Sequence, residues 1–310
     1  MIVEKRFKLK KKKILVIGSS SYIGKSIIDI LSKKKDFEVY SSYFSKKQLV
    51  KPNVNQFKLD LTNPRNFLKI PNDVKIIINC ACIKKKYYNN LNKIVNNNII
   101  SAYRLIDYIN SQLNIEKLIY LSSVSVYGFP KKKKLEKNTK ISNPSLYGSL
   151  KYLEENIFLS KAKDYSVLCI RLPGILDKEA KYSLIPKLYE DILVGKNIKI
   201  FNPNGKFNNI LSSKDLSKFI FLLCKYNYMI KTAFPIAANN PVSLIDVVHF
   251  IKDRLNSSSD IKIMKPEDVC RFICNNYIKQ TFKYESKTVI DTLKQYLNDK
   301  TSDIKVKAKQ

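Results

Sequence analysis

Three side chains near the middle of the chain have the types and spacing needed to transfer a proton. Ser123 ends a short apolar run, and Tyr147 and Lys151 follow it four residues apart. Pro144 disfavours helix for the residue before it, so a helix is predicted to begin near Ser145, and residues four apart lie on one helix face. Because a nearby cation favours the phenolate, Lys151 should lower the pKa of Tyr147 from about 10. The sequence therefore predicts a general acid–base at Tyr147, supported by a hydroxyl and an ammonium.

The tyrosine–lysine spacing alone selects nothing in a chain that has 19 tyrosines. It recurs at Tyr43/Lys47, Tyr127/Lys131 and Tyr296/Lys300. For each of these pairs an exposed helical position is the simpler interpretation. Only Tyr147 follows a predicted strand that ends in paired serines, Ser122 and Ser123, and this context selects it as the catalytic candidate.

A second candidate site lies close to the start of the chain, where a strand, a small-residue turn and a helix are predicted in succession. The apolar run Ile14–Ile17 fits a strand buried on both faces of a parallel sheet. Gly18-Ser19-Ser20-Ser21-Tyr22-Ile23-Gly24 and a helical pattern follow it. Small residues let the backbone approach a pyrophosphate, and a helix N-terminus supplies N–H donors. The stretch predicts a dinucleotide site, with Ser21 where a middle glycine is usual; an ordinary strand–helix turn is the alternative.

The end of the next predicted strand, Phe37–Ser42, bears on the choice of dinucleotide. An acidic residue at this point would bind the ribose diol of NAD, and none is present. The Ser42 hydroxyl and Lys46 could instead accommodate a 2′-phosphate. The sequence therefore favours NADP over NAD as the cofactor.

Further strands and helices alternate along the first half of the chain. Strands are predicted at Asn55–Leu59, Val74–Ile78, Lys117–Leu121 and Ser166–Leu172, and a long helix from Leu91 to Ser111. This alternation predicts the α/β class, with a Rossmann-like doubly wound parallel sheet whose ligands bind outside the carboxyl ends of the strands. Residues 12–172 are predicted to form the cofactor-binding domain. Residues 173–310 are predicted to form a smaller mixed substrate-binding domain, part of which can return to the sheet.

Composition narrows the possible classes of function. The formal charge is +31, but arginine supplies only six of the 57 basic residues, and arginine is the preferred residue for bidentate contacts with phosphate and guanine. No specific nucleic-acid binding is therefore expected. The six cysteines and single histidine lack the spacing of a metal site, so no metal is expected. Reduced thiols and the absence of a long apolar segment predict a cytoplasmic protein without a membrane span.

Taken in order, these motifs resemble those of the extended short-chain dehydrogenase/reductase superfamily, in its NAD(P)-dependent sugar-nucleotide epimerase/dehydratase group. The matching stretches are Gly18–Gly24, Asp60-Leu61, Asn79–Cys82, Asn98, Ser122–Gly128, Tyr147 with Lys151 and Glu155, and Pro241–Ser243. The resemblance implies that Tyr147 exchanges the proton of a substrate hydroxyl or ketone, that Ser123 hydrogen-bonds the same oxygen, and that Lys151 holds the nicotinamide ribose. The nicotinamide would carry the hydride.

The resemblance also implies two sets of binding residues. For the cofactor they are Gly18, Ser21, Tyr22, Ile23, Gly24, Ser42, Lys46, Asp60, Leu61, Cys80, Ala81, Cys82, Lys84, Asn98, Tyr147, Lys151, Leu172 and Pro173. For the substrate they are Ser123, Val124, Ser125, Gly174 and Asn208. A solvated loop is an equal alternative for Lys84, because it lies in a lysine run. A homodimer is expected from the resemblance alone.

Departures from the family pattern limit the expected reaction. Family 4,6-dehydratases carry two carboxylates directly after the catalytic hydroxyl, where this chain has Val124 and Ser125, so dehydration is not expected. The family asparagine near Gly174 is missing, as is the arginine near Asn208 that usually meets a nucleotide diphosphate. The predicted function is an NAD(P)-dependent reductase or epimerase acting on a sugar, nucleotide-linked, in surface-polysaccharide synthesis. The alternative is a non-catalytic NAD(P)-binding regulatory protein on the same fold.

Overall fold

The computed structural model describes residues 11–45, 47, 51–82, 89–265 and 269–307, with side chains up to residue 302. Within these ranges the strands are β1 (Lys12–Ile17), β2 (Phe37–Tyr43), β3 (Asn55–Lys58), β4 (Val74–Asn79), β5 (Lys117–Ser123), β6 (Lys134–Leu135), β7 (Ser166–Leu172), β8 (Gly174–Leu176), β9 (Ile198–Phe201), β10 (Lys206–Phe207), β11 (Ile210–Ser212), β12 (Lys231–Pro235), β13 (Val242–Ser243), β14 (Ile261–Met264) and β15 (Phe272–Ile273). The helices are α1 (Tyr22–Leu31), α2 (Leu91–Ile94), α3 (Ser101–Ser111), α4 (Leu146–Lys161), α5 (Leu184–Leu193), α6 (Ser213–Lys225), α7 (Leu244–Leu255), α8 (Asn276–Phe282) and α9 (Val289–Lys307).

The described residues form one seven-stranded sheet in the order β12-β7-β5-β4-β1-β2-β3, and every neighbouring pair is parallel. The strand order reverses between β1 and β4, which is the switch point of a doubly wound sheet. The predicted Rossmann-like fold is confirmed.

Both faces of the sheet are covered by helices, which explains why its central strands are apolar at successive positions. Ile14 and Val16 of β1 pack in the core that holds α1 and α6. Leu15 and Ile17 point to the opposite face, into the core that holds α3 and α4. Because successive side chains of a strand point to opposite faces, each central strand contributes to both cores.

The second half of the chain contributes to two places in the fold. Helices α5, α7 and α9 enclose a separate apolar core with β9, in which Ile185, Val247 and Leu293 are fully buried. In contrast, β12 pairs with β7 at the sheet edge, and α6 packs on α1. Part of the chain beyond residue 172 thus returns to the sheet layer. The division into domains at residues 172 and 173 stays a prediction.

Two features were not predicted from the sequence. The helix expected from Leu91 to Ser111 contains one wider, π-type turn, Val95–Ile100, between α2 and α3. Such turns are rare and often occur at functional sites. The two-residue strands β6 and β15 pair in parallel beside the main sheet, and they are too short to leave a periodic pattern.

Candidate active site

The carboxyl ends of β1 and β4 meet at the switch point of the sheet, where Gly18 directly follows β1. Gly18 has φ +76°, a conformation that favours glycine. A Cβ at this position would stand 2.9 Å from the backbone nitrogen of Ala81 and from the carbonyl carbon of Cys80. The absence of a side chain therefore lets the turn after β1 approach the small residues that follow β4, and the two turns form one crevice floor.

Ser21, which stands in place of the middle glycine, is the N-cap of α1. Its backbone is extended, with φ −79°, so a serine is accommodated without strain. Its Oγ donates to the carbonyl of Gly18 at 3.1 Å and accepts the N–H of Gly24 at 3.0 Å. The first N–H groups of a helix, here those of Tyr22 and Ile23, have no partner within the helix. The turn thus presents the N–H donors and positive helix end that favour a phosphate.

Two other predicted cofactor residues, Asp60 and Asn98, are held by local hydrogen bonds. Asp60 accepts the N–H and the hydroxyl of Thr62 at 2.8 and 2.7 Å, and Asn98 in the π-type turn donates to the carbonyl of Ile94 at 2.9 Å. Ser42 is 1% exposed. The contact between Ser42 and a 2′-phosphate stays a prediction. Lys46 and Lys84 lie outside the described residues.

The paired serines at the end of β5 point in opposite directions, as successive residues of a strand do. The hydroxyl of Ser122 is buried and donates to Glu155 at 2.5 Å. The hydroxyl of Ser123 points instead toward the crevice, where it contacts Ser125 at 3.1 Å and caps the short helical turn Val124–Tyr127. Only Ser123 is thus placed to meet a substrate.

Gly148 brings α4 against this turn. A Cβ at residue 148 would stand 2.8 Å from the carbonyl carbon of Ser125 and closer still to its oxygen, a separation that real Cβ atoms do not show. The helix can therefore approach the end of β5 only because residue 148 lacks a side chain. The sequence reasoning missed this residue, although a glycine directly after the candidate tyrosine was a visible signal.

Tyr147 lies in the first turn of α4, where its phenol interacts with the side chains of Ser123 and Cys82 and with the charge of Lys151. Burial raises the pKa of Tyr147, and the nearby charge of Lys151 opposes that increase without cancelling it. The predicted direction of the Lys151 effect is therefore correct, but the expected net lowering of the pKa is wrong for the protein alone. The sequence shows the cation at residue 151, but the removal of water from the phenol depends on the fold.

Lys151 is one helical turn further along and is almost fully buried. Its Nζ donates to the hydroxyl of Tyr120 at 2.8 Å and to the carbonyl of Leu121 at 3.4 Å, and it lies 3.4 Å from Oε2 of Glu154. Burial acts to lower the pKa of Lys151, but Glu154 and other negative neighbours outweigh it and raise the pKa above its ordinary value. The ammonium is therefore a cation at neutral pH. To hold a ribose hydroxyl as well, it would have to release one of these acceptors.

A second buried ion pair lies beside the first one. Glu155 accepts from Nε and Nη2 of Arg171 on β7, the latter at 2.8 Å, and also from Ser122. The guanidinium lies over the ring of Tyr127 with 4.7 Å to the centroid. These contacts connect α4 to β5, β7 and the turn after β5, and so fix the helix that carries Tyr147.

The predicted substrate residues differ in their exposure, and Asn208 is only 1% exposed. Val124 and Ser125 are half-buried, and Gly174 begins β8. Both amide N–H groups of Asn208 are taken, by the carbonyls of Ala238 and Ile273 at 2.9 and 2.8 Å. Asn208 therefore holds β15 in place, and only a lone pair of its oxygen is left for a ligand.

Leu172, the last residue of β7, and Pro173 are both buried. Among the described residues, no group of three or more His, Cys, Asp and Glu side chains could hold a metal ion. No helix in the described ranges is both long and apolar enough to cross a membrane.

Comparisons with known proteins identify a matching family and related sequences. A model of the NAD dependent epimerase/dehydratase family matches residues 14–229. UDP-glucose 4-epimerase of Lactobacillus helveticus is 28% identical over 47% of this chain and 46% of that protein. GDP-6-deoxy-D-talose 4-dehydrogenase of Aggregatibacter actinomycetemcomitans is 28% identical over 47% of each. The chain thus matches about half the length of these curated relatives.

Among solved structures, dTDP-glucose 4,6-dehydratase of Bacillus anthracis in complex with NAD superimposes with a TM-score of 0.77. This match covers 94% of this chain and 97% of that one at 21% sequence identity. At that level of identity the likeness shows the shared fold.

Proposed function

The chain belongs to the NAD dependent epimerase/dehydratase family, and we propose that it is a reductase or epimerase that acts on a nucleotide-linked sugar with Tyr147 as general acid–base. The observation that carries this proposal is the contact between the phenol of Tyr147 and the hydroxyl of Ser123, with the cation of Lys151 beside them. Oxidation of a sugar hydroxyl removes a proton and a hydride. In this proposal, Tyr147 takes the proton from the oxygen that Ser123 orients, and returns it in the reverse direction.

The residues around the switch point fit a dinucleotide. The close approach of Gly18 to Ala81 leaves a backbone cradle that a Cβ would fill, and the start of α1 offers N–H donors to a pyrophosphate. A bound nicotinamide would accept or supply the hydride. NAD and NADP both suit this cradle. No acidic residue directly follows β2, and this absence favours NADP.

Dehydration requires groups that can remove and donate a second proton. Val124 and Ser125 occupy the two positions after Ser123, and neither has an ionisable side chain that works at neutral pH. We therefore keep a 4,6-dehydratase outside the proposal. If this is wrong, incubation with dTDP-glucose will yield a 4-keto-6-deoxy sugar.

The test is turnover of UDP-, dTDP- and GDP-linked hexoses with NAD, NADP or their reduced forms, followed by product analysis. A reductase consumes reduced cofactor in step with the product, whereas an epimerase recycles it and leaves its absorbance unchanged. Replacement Tyr147→Phe should lower kcat by roughly 10²–10⁴-fold, while the Tyr43→Phe protein serves as a control. Full turnover by the Tyr147→Phe protein would refute the proposed acid–base role.

One observation favours a non-catalytic protein instead. The amide group of Asn208, at the position where the family carries an arginine, donates both hydrogens to the backbone carbonyls of Ala238 and Ile273, so a diphosphate has fewer partners here. Calorimetric binding of NAD or NADP, combined with no turnover of any sugar in the panel, would support a regulatory role. Turnover of even one sugar would exclude it.

The exposed faces of α3 and α4 support a homodimer as part of the proposal. They carry Tyr103, Leu146, Tyr152 and Leu153, each at least one-third exposed, next to the proposed active site. Light scattering of the wild type and of a Leu153→Asp protein would reveal a dimer and its loss.

All six cysteines are free, which supports a reducing compartment and hence the cytoplasm. Nucleotide sugars are donors for glycan assembly, so we place the reaction in surface-polysaccharide synthesis.

A further inference from the structure

A buried carboxylate lies against the proposed catalytic lysine. Glu154, one helical turn after Lys151, is 5% exposed. Its Oε2 lies 3.4 Å from Nζ of Lys151 and also accepts the hydroxyl hydrogen of Tyr120. The same Tyr120 hydroxyl accepts a hydrogen bond from Lys151 at 2.8 Å. The three side chains therefore form a closed triangle of contacts beneath Tyr147.

Packing holds two corners of the triangle, Tyr120 and Lys151. Tyr120 is fully buried on β5, and its ring packs against Phe158 with 4.9 Å between centroids. Nζ of Lys151 lies 4.7 Å from the centre of the Tyr120 ring. These contacts leave the ammonium little freedom to turn away from Tyr147.

An isolated ammonium in this position would not keep its proton. Burial alone disfavours the charged form of a lysine and can lower its pKa by several units. In the structure burial acts to lower the pKa of Lys151, and the negative charge of Glu154, the largest of the opposing effects, raises it overall together with Cys82 and Tyr147. The pKa of Glu154 is itself raised by burial, against the lowering effect of Lys151.

We propose that Glu154, linked through Tyr120, is a positioning residue that keeps Lys151 protonated and fixed beside Tyr147. The catalytic part of this inference rests on the proposed function. The effect of Glu154 on the protonation of Lys151 rests only on the contacts within the triangle. The other titratable groups around Lys151 are Tyr147 on α4, Cys80 and Cys82 after β4, and Cys169 on β7. None of them supplies a buried carboxylate, so Glu154 is the residue to test.

The test compares Glu154→Gln with Glu155→Gln, its neighbour on the same helix. Both changes remove a buried carboxylate from a buried cation, but the partner of Glu155 is Arg171, and an arginine does not lose its proton in proteins. Tyr120→Phe is the second control, because it removes the hydroxyl link and keeps both charges. Cys82 is present in all these proteins, so its ionisation cancels from the comparison.

The first readout is the unfolding temperature between pH 8 and pH 10, which needs no substrate. In the Glu154→Gln protein, Lys151 should lose its proton in the folded state at lower pH than in the unfolded chain. The unfolded state then binds more protons, so stability rises with pH. The difference in unfolding temperature between the Glu154→Gln protein and the wild type, called the gap below, should narrow by about 5 °C over these two pH units. For Glu155→Gln and Tyr120→Phe the gap should stay constant, and a constant gap for Glu154→Gln would overturn the proposal.

The second readout is kcat against pH with UDP-glucose as the test substrate. Above its lowered pKa, Lys151 loses its proton in the Glu154→Gln protein, and kcat should fall about tenfold per pH unit while the wild type stays active. A merely structural role would reduce kcat equally at every pH, and that result would also overturn the proposal. If the wild type does not act on UDP-glucose or any related sugar, the proposed function fails, and the unfolding experiment still decides the role of Glu154.

A Glu154→Gln protein that does not fold is also informative. The double variant Glu154→Gln with Lys151→Met removes both charges, so it should fold if the single variant fails because of an unpaired ammonium. If neither protein folds, Glu154 has a structural role that does not involve Lys151, and the proposal is refuted.

Discussion

The replacement Gly148→Ala tests how closely α4 must approach the end of β5. An alanine Cβ would stand 2.8 Å from the carbonyl carbon of Ser125 and 3.1 Å from Cβ of Pro144. Contacts of this kind normally begin near 3.4 Å. Because the first atom belongs to the backbone and cannot rotate away, the helix and the turn Val124–Tyr127 must separate by roughly an ångström.

Two effects of opposite sign change the free energy of unfolding of the Gly148→Ala protein. Alanine is the better helix former by about 1 kcal/mol, whereas overpacking of this type costs about 1–3 kcal/mol. We expect the steric term to win, with a net loss of about 1–2 kcal/mol in the free energy of unfolding. Activity should suffer more, because a displacement of about 1 Å between reacting groups can lower the rate about 100-fold.

The assay is kcat together with urea unfolding, and Ser149→Ala is the matched control because Ser149 is exposed on the same turn of α4. Binding of the dinucleotide should change little, since the crevice floor at Gly18 is not altered. A Gly148→Ala protein with wild-type kcat and unchanged stability would show that the contact between α4 and the turn after β5 does not position Tyr147.

Three further predictions concern the elements around the site. Gly18→Ala should weaken binding of NAD and NADP by at least tenfold in calorimetric titration, because the new Cβ meets the backbone of Ala81 and φ is +76°; equal affinity would exclude the proposed cradle. Arg171→Met should lower the free energy of unfolding by about 3–5 kcal/mol in urea, since it leaves Glu155 buried without its partner; a loss below about 1 kcal/mol would contradict this. Burial lowers the pKa of Lys117, so the unfolded state binds the extra proton and this lysine adds stability as pH rises toward about 10.4. The free energy of unfolding of the wild type, relative to that of the Lys117→Met protein, should therefore rise between pH 8 and pH 10. A difference that does not change with pH would refute the effect of burial on Lys117.

The sheet could be predicted because its central strands are visible in the sequence as short apolar runs. The runs around Ile14 and Ile76 are apolar at consecutive positions, and turn residues follow each of them, so their burial on two faces is visible in the sequence. The strand β12 also contains an apolar run, from Ala233 to Pro235. Its return to the sheet edge beside β7 depends on where α6 packs, which local patterns do not encode.

The site was predicted only as far as its motifs reach. Alternation along a strand would have separated Ser122 from Ser123, but the partners of Lys151 required tertiary contacts. Nothing in the spacing indicates that Glu154 and Tyr120 enclose the ammonium. For the same reason the sign of the pKa shift of Tyr147 was wrong, because burial is a property of the fold and cannot be read from one neighbouring charge.

The position of β12 has a consequence for how the molecule is assembled during synthesis. The sheet is completed by residues 231–235, and α6, which covers α1, lies between residues 213 and 225. After synthesis of only the first 172 residues, β7 is left as the edge strand of the sheet and α1 lacks the helix that covers it, a state prone to aggregation. The sheet is complete only after about 60 further residues have been synthesised. A fragment that ends at residue 172 should therefore not form a stable protein by itself.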